Sequence, residues 1–141
     1  MTQLTIQVRN AELVGKGLAN IRAEVPRISE RTIEKGAQAI ARRMRIYPAA
    51  PSGSRYVRTY RLRDSVKVKR MANGYAVFID PVSKRGTRYG RYVIGYADGS
   101  GQARQNSHWR LLRDVTEEEV EKLPPMVEEH IRLVARSEGL A

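Results

Sequence analysis

The spacing of apolar positions changes several times along the chain, and each change predicts a different element. Leu4, Ile6 and Val8 alternate with Thr5, Gln7 and Arg9, the period of a half-buried strand, so residues 1–9 read as an N-terminal strand. Asn10 stands where it would cap a short helix over Ala11 to Glu24, which Gly15 and Gly17 weaken. Val25-Pro26 reads as a boundary, because proline suits a first helical turn and disfavours helix in the residue before it. Over 26–46 the period becomes helical: Ile33, Ala37, Ile40 and Met44 recur at spacings of four, three and four, which puts them on one face. Glu30 and Glu34 come early and Arg42, Arg43 and Arg45 late, the order that favours the helix dipole.

Pro48-Ala49-Ala50-Pro51-Ser52-Gly53-Ser54 then breaks regular structure, and 47–65 reads as a basic loop. Val66 and Val68 alternate with Lys67 and Lys69, Asn73-Gly74 is the pair preferred for a two-residue turn, and Val77 and Ile79 share one side of the return. Residues 66–80 are therefore predicted to be a hairpin. Pro81 to Gly90 reads as a loop, and Tyr89 to Tyr96 as a short strand or a single helical turn. Thr116 with Glu119 three residues on has the form of a capping box, and Leu123-Pro124-Pro125 interrupts the helix it would start, giving C-terminal helices over 116–137. The expected fold is α+β in a single domain: a long amphipathic helix packed on a small antiparallel β-sheet, with a C-terminal helical segment.

Charge sharpens this picture. The chain carries a formal +11, and between Arg42 and Arg113 there are 17 Lys/Arg against three Asp. All seven tyrosines fall between positions 47 and 96, interleaved with arginine. Residues 114–141 reverse the sign, with eight acidic and three basic groups. Arginine and tyrosine combine flat area with strong donors, so together they serve a nucleic-acid surface or a protein interface. The candidate partner-contacting residues are Arg55, Tyr56, Arg58, Tyr60, Arg61, Arg63, Tyr89 and Tyr92. A chain basic in one region and acidic in another is suited to head-to-tail stacking on its own copies, which closes into a ring where the rotation allows.

Catalytic motifs are sparse. With no cysteine, disulfides, thiolate metal sites and a Cys nucleophile are excluded. No apolar run reaches the length of a bilayer span. His108 and His130 are far apart and lack partners at metal-ligand spacing, and the glycines between 86 and 101 do not form a phosphate-binding loop. His108 beside Trp109 reads as a packed residue; in an RNase-type alternative it would act with Arg104 or Arg110. The expectation is no enzyme, no cofactor, no metal, no small-molecule ligand and no membrane partner.

The order of the pieces resembles a known family. A long helix ending in Ile46-Tyr47-Pro48-Ala49-Ala50-Pro51 is followed by Thr59, Leu62 and Ser65, then a basic hairpin, then Tyr89, Tyr92 and Val93. This resembles the neck or tail-completion proteins of long-tailed bacteriophages, the head–tail joining group that includes minor tail protein Z of lambda-like phages. Their signatures are Thr-Gly-x-Leu-x-x-Ser after the first long helix and Tyr-Ala-x-Tyr-Val after the hairpin. Tyr60 stands where the family has glycine, and Gly90 where alanine is common. The resemblance implies a structural virion protein made in the host cytoplasm, a homo-oligomeric ring whose partners are other neck and tail proteins, with possible contact to genomic DNA. The alternative is a small basic nucleic-acid-binding protein or RNase-type toxin.

Overall fold

The structure is a computed structural model that describes residues 11–53 and 60–140. The expected strand over 1–9, and Arg55, Tyr56 and Arg58, lie outside the described residues. Helix α1 spans Ala11–Met44, α2 Arg61–Ser65, strands β1 Lys67–Met71 and β2 Gly74–Phe78, helix α3 Gly90–Ile94, α4 Leu112–Glu121 and α5 Leu123–Ser137, with a 3-10 turn at Arg104–Asn106. The fold is α+β, as the sequence pattern predicts. Its described residues divide into two compact units, one made of those up to Thr32 with those from Pro124 onward, the other spanning Ile33–Leu123.

Helix α1 overrides the boundary expected at Val25-Pro26. Pro26 lies inside it, and its missing N–H leaves only the Arg22 carbonyl without an in-helix donor. Residues beyond the proline hold the helix in place. Ile28 and Thr32 are buried one turn apart, and the Thr32 hydroxyl donates to the Ile28 carbonyl at 2.8 Å. In the same unit, α5 ends in a Schellman motif: Leu140 N–H donates to Ala135 O, Gly139 N–H to Arg136 O, and Gly139 takes φ 70°. That turn lays Leu140 against Gly17, where a Cβ would come within 3.0 Å of the leucine side chain. Glu138 accepts hydrogen bonds from the Asn20 amide at 3.2 Å.

The unit Ile33–Leu123 carries the larger core. Ile40, Ala41 and Met44 of α1 meet Leu62, Val66, Ile94 and Val115, with Val68, Val77, Ile79 and Trp109 packed around them. Ala37 is buried too, but Ile33, the first residue of the expected stripe, is 40% exposed. β1 and β2 pair antiparallel from Lys67↔Phe78 to Met71↔Gly74. The reversal is therefore made by Ala72 and Asn73, one residue earlier than Asn73-Gly74. Asn73 has no positive φ, so the twist falls to Gly74 at φ 137°. Val68 and Val77 face the core across the sheet while Lys67 and Lys69 stay exposed, the alternation read from the sequence.

Three local readings are corrected. The loop over 47–65 contains α2, one helical turn that buries Leu62. Helix α4 begins at Leu112 rather than at Thr116, and its preceding residue, Leu111, makes no side-chain cap. Burial of Val115 and Leu112 against the core outweighs the absent cap. α5 starts at Leu123 with Pro124 and Pro125 in its first turn, where their missing N–H groups cost nothing.

Candidate functional site

The conformation of one residue organises the start of α2. Tyr60 has φ 57° and ψ 7°, and among the described residues it alone, glycines aside, has a positive φ. A side chain in that left-handed region costs on the order of 1 kcal/mol. Ring contacts hold it there: Tyr47 lies at 5.4 Å, and the Arg63 guanidinium sits over the Tyr60 ring at 4.6 Å. Tyr47 continues the stack, edge-on to Trp109 at 4.9 Å, and its hydroxyl accepts from the Arg63 N–H at 3.3 Å. Arg63 also pairs with Asp64 at 2.9 Å, which raises its pKa above the ordinary guanidinium value.

Helix α3 carries the second group of candidate residues. It comes after the loop 81–89, which is closed by the Val82–Arg88 bridge and by the Ser83 hydroxyl accepting from the Arg85 and Thr87 N–H groups. Gly90 starts the helix tight against buried Pro81; an added Cβ would lie 2.9 Å from the proline Cδ and 3.4 Å from Ile79 O. The alanine common in the resembled family has no room here. From α3, the Arg91 guanidinium donates to the hydroxyls of Tyr96 and Tyr92 and lies over both rings. Those bonds, Tyr96 first, raise the Arg91 pKa.

Gln102 ties the next loop to α3. Its side-chain amide donates to the carbonyls of Val93 at 2.8 Å, Asn106 at 3.1 Å and Trp109 at 3.1 Å. Asn106 in turn donates to Tyr92 O at 2.8 Å. These bonds build one wall of a groove of about 520 Å³, whose lining includes Pro48, Pro51, Arg61, Lys84, Tyr89, Tyr92 and Trp109. Among the described residues its lining combines aromatic and proline side chains with the cations of Arg61 and Lys84 and includes no carboxylate.

The structure thus brings Arg61, Tyr89 and Tyr92 together in one groove and keeps Tyr60 and Arg63 in the adjoining stack. Arg61 is partly committed within the chain, donating to Val82 O at 2.9 Å. Tyr47, Gln102 and Trp109 complete the site and are absent from the candidates named from sequence. The breaker segment after Tyr47 and the lone tryptophan were the available signals for two of them; Gln102 had none. His108 lines the groove, exposed, with its ring 6.1 Å from Trp109. His130 is half-buried on α5, with Nδ1 2.7 Å from Met126 O.

Opposite in sign is the surface of α4. Glu119 is buried, and its carboxylate accepts from Lys122 at 2.9 Å and from Arg43 at 2.8 Å. Lys122 and then Arg43 hold it below the ordinary glutamate range, against the effect of burial. Glu118 takes the other arm of Arg43 and, with Glu119, raises the arginine's pKa. Glu117 and Glu121 are exposed and unpaired among the described residues, and Val120 between them is 50% exposed.

Among the described residues, no three His, Asp or Glu side chains are grouped to hold a metal ion, and no helix is long and apolar enough to cross a membrane. No family model matches the chain, and neither a curated protein nor a solved structure matches it.

Proposed function

We propose that this chain is a structural virion protein of a long-tailed phage, a neck or tail-completion component that joins head to tail as an oligomeric ring. It is made in the host cytoplasm, performs no catalysis and works by contact with copies of itself and with other neck and tail proteins. Tyr60 carries the reading. The family resembled has glycine at this place in its first signature, and a left-handed backbone is the conformation glycine serves. Here Tyr60 takes a left-handed backbone, the conformation that glycine would serve at this place.

The adjoining surface also supports the reading. Aromatic and arginine side chains concentrated around one groove are the composition of interface anchors. The acidic run of α4 repels a polyanion, which disfavours the nucleic-acid alternative for that face. The test is mass spectrometry on density-gradient particles from the source of the gene. On the order of 6 to 12 copies per particle is the expected result. Intact, tailed particles lacking the chain would sink the proposal and turn attention to salt-dependent nucleic-acid binding.

A further inference from the structure

The groove over Trp109 and the Glu117–Val120–Glu121 face of α4 are complementary in charge, and each exposes apolar surface. The groove is concave, and among the described residues it is lined by proline and aromatic side chains with Arg61 and Lys84 and by no carboxylate. Lys84 is exposed and pairs with nothing among the described residues. On α4, Glu117, Val120 and Glu121 stand at spacings of three and four, so they share one face. Val120 is half exposed there, beside two carboxylates that are unpaired among the described residues. Its neighbours Glu118 and Glu119 are held by Arg43, which leaves Glu117 and Glu121 as the carboxylates available to a partner.

We infer that the groove receives the Glu117–Val120–Glu121 face of α4 from a second copy of this chain, with Val120 entering over Trp109 and the two carboxylates meeting Lys84 and Arg61. The contact is heterologous, because the groove and the α4 face are different patches of one surface. Each copy therefore keeps one of the two free, and copies add head to tail. A nucleic-acid strand fits the groove less well, because among the described residues its lining offers only the cations of Arg61 and Lys84, which neutralise few phosphates. The inference deepens the assembly reading, on which it rests for several copies meeting in one place.

Trp109 is the only tryptophan of the chain, so its emission reports directly on the groove. The experiment follows the full-length chain by sedimentation velocity and Trp109 fluorescence, from dilute solution to on the order of 1 mM at low salt. The expected result is a mass that rises with concentration, a blue shift of Trp109 in step with it, and reversal of both by added salt. Lys84→Glu, or Glu117→Lys with Glu121→Lys, weakens association about tenfold, and Val120→Ala weakens it about fivefold. Combining all three charge changes in one chain restores association above either parent. These side chains are exposed, and circular dichroism confirms that each variant is folded.

A chain that stays monomeric at the highest concentration overturns the inference. So does association that leaves Trp109 emission unchanged or ignores Lys84→Glu, and so does a Trp109 shift produced by oligothymidylate and not by self-association. Because the experiment uses the purified chain, it can fail while particle mass spectrometry succeeds, and the reverse; failure of the interface and failure of the virion reading are separate results.

Discussion

The two compact units are held by different means. In Ile33–Leu123 the stability is non-local: residues from α1, α2, α3 and α4 converge on one apolar cluster, and the Arg43–Glu119 pair cross-links segments distant in sequence. In the unit formed by the residues up to Thr32 and from Pro124, only Gly17, Ile28 and Thr32 are buried among the described residues, and α5 has no buried residue. There the work is done at helix ends, by the Schellman turn at Gly139 and the Asn20–Glu138 hydrogen bonds. A unit built on a core loses most from a cavity. A unit built on helix termini loses most from a changed backbone.

The largest expected effect lies in the core. Leu62→Ala costs about 2–5 kcal/mol in urea unfolding, and amides of the last third of α1 should exchange more slowly than those of α5; equal protection would erase the contrast. Gly90→Ala comes next, at about 1–3 kcal/mol, because the rigid Pro81 ring and a backbone carbonyl leave the new methyl nowhere to go. Glu119→Gln ranks third at about 1–2 kcal/mol. Its carboxylate is held below the ordinary range when folded, so its contribution is present above that range and is lost as pH falls through the depressed value. The urea midpoint of the native chain should therefore decline on acidification more steeply than that of the glutamine variant.

Smaller effects probe backbone alone. Gly139→Ala costs about 1 kcal/mol by forcing a methyl into the left-handed region, measured as a lower melting temperature. Tyr60→Gly and Tyr60→Ala both delete the ring, so their difference isolates the backbone. The glycine variant should be the more stable by about 1 kcal/mol. An alanine variant of equal stability would remove the reason to connect this position with the family's glycine.

Periodicity made the core legible. Ala37, Ile40 and Met44 on α1, Val66 and Val68 before the turn, and Val77 and Ile79 after it are legible from spacing alone, and they pack as that spacing predicts. Punctuation was less dependable. Pro26 looks like a boundary, yet burial of Ile28 and Thr32 beyond it carries the helix through. Thr116 looks like a cap, yet it falls inside a helix whose start is fixed by packing of Leu112 and Val115. The site was legible as a composition of arginine and tyrosine and not as a geometry. Bonds such as those of Gln102 join side chain to backbone across a loop, and such bonds leave no repeat in the sequence to detect.

That glutamine gives the groove a chemical lifetime. One side-chain amide points two N–H groups at three carbonyl oxygens, from Val93, Asn106 and Trp109. Hydrolysis to glutamate, a mild lesion on an open surface, would turn the same atoms into a carboxylate facing three acceptors. The wall of the groove would then be pushed apart by a change that leaves chain length and core intact. Protein in which Gln102 has hydrolysed should lose the ordered surroundings of Trp109 before it loses helix.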